Sequence, residues 1–191
     1  QPGDAALHEF YTTTASRDIF ALGEFLDIVS RVLFGEGIAD TSPLVSLLER
    51  HVDEAFLQQV ALAHNSGRRL YIGTVDLDSQ RFIVWNVGLI AASGRPEAAE
   101  LFRKVMLASA SIPVAFPPVF FDVEAGGGRY DEMHVDGSVG TRVFYTAGAF
   151  SFGQARAEAG GGPGGQEDLF IIHNGQLQPV PSPTRRSLRA I

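Results

Sequence analysis

The sequence contains no cysteine, which excludes disulfides and thiolate metal sites and leaves the redox compartment open. It is also poor in positive charge. There are 15 Lys and Arg against 22 Asp and Glu, a net charge of -7, and the pI is near 5.2. This argues against a nucleic-acid partner, which needs a basic face. Lys104 is the single lysine; the preference for Arg reads as a coding bias and carries no function. No run of about 18 apolar residues occurs, so no spanning helix is expected. The opening "QPGDAALHEFY" has neither the charged n-region nor the apolar h-region of a signal peptide. It also lacks an initiator Met, and the expectation is a chain that starts inside a longer gene product.

What is present suits one globular domain. The chain has 191 residues, 45% of them apolar, enough for a sizeable core. The first third reads as helical. Phe25, Leu26, Val29, Val32 and Leu33 recur at helical spacing, and Gly35 and Gly37 stop the run. Ser42 is the expected N-cap of the next helix, with Pro43 at its first position. Asp53 opens another helix through Phe56, Leu57, Val60 and Leu62, closed near Gly67. No strand is expected before Leu70. Then "RRLYIGTVDLD" and "RFIVWNVGLI" read as two strands joined at Asp78-Ser79-Gln80, with Phe82 and Trp85 as hairpin core. Pro96 begins a helix through Leu101, Val105, Met106 and Leu107. Pro113, Pro117 and Pro118 forbid helix and favour extended backbone after it. "VFFDVE" and "YDEMHV" flank "AGGGR" as a second hairpin, and "DLFIIHNG" is a further strand signal. Residues 147–166, with "EAGGGPGGQ", read as a flexible Gly/Ala-rich loop. The runs "LYIGTV" and "LFIIH" are apolar on both faces, which suits a sheet covered on both sides. The class is α/β, with three layers expected.

Several constellations are candidates for chemistry. Glu132, His134 and Asp136 alternate, so a strand puts them on one face. Adjacent members would lie about 7 Å apart, too far for all three to ligate one ion without a bulge. "GGGPGG" precedes a strand instead of linking strand to helix, and Pro163 removes a donor, so it is a poor phosphate cradle. No serine has glycine two before and two after, so the strained nucleophile elbow is missing. Ser109, Ser111 and Ser138 read as capping or packing residues. The five histidines, His8, His51, His64, His134 and His173, show no spacing that marks a triad base. Asp136-Gly137 is the only Asp-Gly pair. It is either a turn or a carboxylate held at a strand end for use as a base.

Three pieces, "RRLYIGTVDLDSQRFIVWNVGLIAASG", "LFRKVMLASASIPVAFPPV" and "YDEMHVDGSVGTRVF", together resemble the patatin-like phospholipases, the Ser-Asp acyl hydrolases. The resemblance runs from about Ala5 to Leu177. It implies a three-layer α/β/α sandwich with a central, largely parallel sheet, of which this chain is an internal or C-terminal portion spanning 1–191. It implies that Asp136 is the base, in an Asp-Gly motif with Gly137 and Ser138; the family has Gly or Ala where Ser138 stands. The family's Gly-rich oxyanion loop and serine elbow are absent, so the nucleophile is expected upstream of Gln1. No metal or cofactor is implied. The expected substrate is a phospholipid or other lipid ester at a membrane surface, and the localisation is open. The "SIPVAFPPVFF" run is either a core connection or the lining of an acyl-chain pocket. The alternative function is a non-catalytic lipid-binding or protein-interaction member of the fold. A metal hydrolase on Glu132, His134 and Asp136 is a third.

Overall fold

The structure is a computed structural model, and it describes residues 2–22, 39–141, 157, 160 and 170–172. Helix α1 (Pro2–Thr13) leads to a two-residue antiparallel ladder of β1 (Ala21–Leu22) with β2 (Ala39–Asp40). Strand was not expected before Leu70; a ladder this short leaves no alternating pattern to read. The helix placed on Phe25 to Leu33, with its stops at Gly35 and Gly37, lies outside the described residues.

Helix α2 (Ser42–His51) starts one residue earlier than its sequence suggests. Ser42 is inside the helix, and the capping is done by Asp40. Its Oδ1 accepts from the Ser42 N–H at 2.9 Å and from the Ser42 hydroxyl at 2.6 Å. Helix α3 (Glu54–Asn65) has the cap expected of it. Asp53 accepts from the Phe56 N–H at 2.8 Å, satisfying an otherwise orphaned donor.

The main sheet has four strands in the order β4-β3-β6-β5. Strands β3 (Tyr71–Asp76) and β4 (Arg81–Asn86) form the first hairpin, and β5 (Val119–Ala125) and β6 (Gly128–Asp136) the second. Gly126 and Gly127 connect β5 to β6, both at positive φ, the requirement of a two-residue turn that matches strand twist. The apolar run after Trp85 leaves the sheet earlier than expected. Asn86 caps helix α4 (Val87–Ala92) through Leu89 N–H. Every strand pair among the described residues is antiparallel, since two hairpins joined by β3–β6 pairing need no parallel crossover; the expected parallel part of the sheet is not among these strands. Phe170 to Ile172 carry no strand. The rest of "DLFIIHNG", and the loop at 147–166 apart from Ala157 and Gly160, lie outside the described residues.

Helix α5 (Ala98–Ser109) covers one face of the sheet. Ala98, Phe102, Val105 and Ala108 recur at helical spacing and are all buried. They join Val52, Leu57, Val87, Val119 and Phe121 in the core, with Trp85 packed against it. On the other face Val75 pairs with Val135, and both are buried. No helix among the described residues is long and apolar enough to cross a membrane.

Candidate active site

Asp136 is the last residue of β6 and is half-buried. Three contacts fix it. Thr74 of β3 is its ladder partner. Strand β5 pairs along β6 no further than His134, so the Asp136 N–H finds its acceptor in the chain entering β5, the Ser111 carbonyl at 2.9 Å. The carboxylate caps the 3-10 turn Gly137–Val139, with Oδ1 accepting from the Ser138 N–H at 2.7 Å. Among the described residues no group donates to Oδ2.

Gly137 is buried. A Cβ built on it would lie 2.6 Å from the Gly73 carbonyl oxygen and 2.8 Å from its carbon. Its φ lies outside the left-handed region. The glycine is therefore required by close approach to β3, and the positive φ usually demanded of an Asp-Gly turn plays no part. Gly140 likewise lies against Val75 and Phe82, so the chain leaving Asp136 folds back over β3.

The serines do what their sequence context suggests. The Ser111 hydroxyl donates to the Leu107 carbonyl at 2.9 Å, and Ser111 is 1% exposed. The Ser109 hydroxyl donates to the Gly73 carbonyl at 2.9 Å. Ser138 gives Asp136 its backbone N–H. None of these three hydroxyls donates to Asp136. The proline-containing connection is a turn and bend in place of extended backbone. Ile112 and Val114 are exposed, and Phe116 packs on Phe20 at 5.8 Å. A cavity of about 400 Å³ lies between α2 and α5, lined by Val45, Leu48 and Leu107 with charged residues around them. It shares no lining residue with the proline run.

Beside Asp136 lies a second constellation. Glu132 and His134 do come together, but their third member is Asp76 across the strand pair, with ligand atoms of the three within 4.8 Å of one another. Asp136 is not part of it; the roughly 7 Å step along the strand does not by itself explain this, since Glu132 and His134 are the same step apart and their side chains meet at 3.3 Å. His134 is fully buried, between the rings of Trp85 and Phe121 at 5.6 and 4.7 Å. Trp85 Nε1 can only donate, and it donates to Thr74 Oγ1 at 2.8 Å. Thr74 Oγ1 also bonds to His134 Nδ1 at 2.9 Å. The other ring nitrogen, Nε2, faces Glu132 Oε2 at 3.3 Å, and because a carboxylate only accepts, that nitrogen carries a proton. A metal would need the lone pair at that nitrogen. Asp76 is committed as well: Oδ1 accepts from the Asp78 N–H at 3.0 Å, and Oδ2 takes the Ser79 hydroxyl. Burial pushes the Asp76 carboxyl up, but the Ser79 hydroxyl, the N–H groups of Asp78 and Ser79, and a smaller electrostatic contribution from His134 outweigh it and hold the carboxyl below its ordinary value. The cluster fits a buried polar lock between β3 and β6 better than a metal centre. Sequence spacing missed Asp76 because the contact crosses strands; the pairing of "TVD" with "HVD" would have found it.

No curated protein sequence matches the chain significantly. The family model for patatin-like phospholipase matches residues 2–149, a span that holds α1 through β6 and the Asp136 turn. The chain belongs to the patatin-like phospholipase family.

Proposed function

We propose that this chain is the base-bearing part of a lipid acyl hydrolase working through a Ser-Asp dyad, with Asp136 as the base and the serine outside residues 1–191. The family is one of lipid hydrolases. The observation that carries the assignment is the state of the Asp136 carboxylate: Oδ1 is held by the Ser138 N–H, and Oδ2 has no donor among the described residues. Among the described residues the carboxylate is thus aimed by one oxygen and open at the other. The hydroxyls of Ser109 and Ser111 are both used elsewhere, in keeping with a nucleophile supplied from another segment.

The chemistry is as follows. A serine hydroxyl is a poor nucleophile until a base takes its proton during attack. Asp136 accepts that proton as the serine oxygen bonds to the ester carbonyl carbon. It returns the proton to the alcohol oxygen as the ester C–O bond breaks and the lysophospholipid or glycerophosphodiester product leaves. A water then attacks the acyl-serine, giving its proton to Asp136, and the fatty acid departs as the proton returns to the serine. No histidine is needed, and donors for the oxyanion come with the serine-bearing segment. In the complete domain the antiparallel sheet described above is one part of a three-layer α/β/α sandwich whose remaining strands run parallel. The substrate class is a phospholipid or lysophospholipid ester presented at a membrane surface.

The test is kcat/KM of the full-length protein on one ester, for Asp136→Asn against Asp131→Asn. Asp131 is exposed on the same strand. The expected result is a loss of about 10²–10⁴-fold for Asp136→Asn and none for Asp131→Asn. Near-parental activity in Asp136→Asn overturns the dyad. The non-catalytic alternative predicts no turnover and no fluorophosphonate labelling in the full-length parent.

A further inference from the structure

We propose that Ser109, at the end of α5, is a positioning residue for the Asp136 base, acting through the carbonyl of Gly73. The inference rests on the assignment of Asp136 as base.

Two observations meet at one atom. The Ser109 hydroxyl donates to the Gly73 carbonyl oxygen at 2.9 Å. The same oxygen is the surface on which Gly137 sits, since a Cβ built there would be only 2.6 Å away. Gly137 follows Asp136 directly, and the peptide carrying the Gly73 carbonyl leads into Thr74, the ladder partner of Asp136. Ser109 therefore fixes the direction of a peptide that bears on the base from two sides. Two residues on, the Ser111 carbonyl takes the Asp136 N–H. The short run Ser109-Ala110-Ser111 thus holds the base loop at both β3 and β6.

The packing allows little slack. With contact this close, a tilt of the Gly73 peptide displaces Gly137 rather than being absorbed by a side chain, because neither residue has one. Removing the Ser109 hydroxyl releases that tilt and lets the Asp136 carboxylate wander from the serine proton. Displacements of about 1 Å at a reacting group cost up to roughly 100-fold in rate. The loss falls on the proton transfer, so it enters kcat and spares KM.

The experiment uses the full-length protein with Ser109→Thr, Ser109→Val and Ser109→Ala, measured beside Asp136→Asn. Thr and Val have the same shape and differ in the hydroxyl, so any common effect of the added methyl cancels between them. The expected outcome is kcat for Ser109→Val about 10- to 100-fold below Ser109→Thr, with KM within about twofold and Ser109→Ala grouping with Val. Equal kcat for Thr and Val, with Asp136→Asn inactive, overturns the role of Ser109 and leaves the base assignment standing. An active Asp136→Asn instead removes the base itself, a distinguishable failure. If Ser109→Ala does not fold, the Thr and Val pair still decides.

Discussion

Two aspartates end neighbouring antiparallel strands in this molecule, and their carboxylates are engaged differently. Asp76 closes β3 and Asp136 closes β6. Each carboxylate accepts the backbone N–H two residues on, from Asp78 at 3.0 Å and from Ser138 at 2.7 Å. There the likeness stops. Asp76 is 2% exposed, and its second oxygen takes the Ser79 hydroxyl; Asp136 is half-buried, and its second oxygen is open among the described residues. The following residue differs too. Leu77 is exposed, whereas Gly137 is pressed against a backbone carbonyl. A carboxylate whose oxygens are all engaged holds a fold together. One that is aimed and still has an oxygen to offer can move a proton.

Substituting both aspartates in the same way tests this most severely. Asp136→Asn should lower kcat/KM by about 10²–10⁴-fold with a melting temperature near the parent's, because an amide oxygen still accepts from Ser138. Asp76→Asn should do the reverse. Its amide nitrogen cannot accept from Ser79 or Asp78, and the loss of charge-assisted bonds costs about 2–3 kcal/mol, while the folded enzyme keeps its rate within a few-fold. Thermal melts and kcat/KM on both variants decide. Equal loss of rate in the two would end the distinction.

The residue after each aspartate gives the next largest contrast. Gly137→Ala puts a methyl 2.6 Å from the Gly73 carbonyl oxygen. Neither partner has a flexible side chain to yield, so the expected cost is about 2–3 kcal/mol, with loss of activity as Asp136 is carried off. Leu77→Ala, at an exposed position, should cost less than about 1 kcal/mol. Denaturant titration measures both.

Acid separates the two aspartates further. The folded-state value of Asp76 lies below its ordinary one, so the unfolded chain binds that proton more readily than the folded chain. The stability it contributes is fully present above the unfolded value, about 3.9, and is lost as pH falls through the lower folded value. The stability gap between the parent and Asp76→Asn should therefore be constant at neutral pH and close below about pH 4. A gap unchanged at the lowest pH that keeps the protein folded would show that Asp76 acts through shape alone.

The sequence announced one of these aspartates and was silent on the other. Asp136-Gly137 stands out as the only such pair, and local patterns also placed α3 with its Asp53 cap, both hairpins of the main sheet and α5. These depend on residues a few positions apart. What depended on strand pairing was hidden. Asp76 meets His134 only because β3 lies antiparallel to β6 in a register that sets them opposite, and the hydroxyl of Ser109 reaches Gly73 across 36 positions. The reason for Gly137 was hidden too, since close approach to Gly73 is a property of the fold and positive φ would have been a property of the turn. The antiparallel direction of the described strands was not legible either, because strands apolar on both faces fit either direction once covered on both sides.

The smallest expected effect concerns two non-glycine residues at positive φ, one associated with each aspartate. Gln80 (φ 56) ends the turn that Asp76 caps, and Val114 (φ 73) lies three residues after Ser111, which holds Asp136. A β-branched side chain is the worse fit in this region, since its second branch crowds the backbone. Glycine relieves the strain at either site, but it adds freedom to the unfolded chain, worth about 0.4–1 kcal/mol in the opposite direction. For Gln80→Gly the two should cancel to within about 0.5 kcal/mol, leaving stability and rate unchanged. For Val114→Gly, where 76% exposure means little packing is lost, the balance should favour the variant by about 1 kcal/mol. Its kcat is the informative number. An unchanged kcat means the strained turn is merely tolerated beside the base. A lower kcat, with the protein more stable, would mean that the strain at Val114 is transmitted through Ser111 to Asp136, and that stiffness on this side of the base belongs to its function as the stiffness around Asp76 does not.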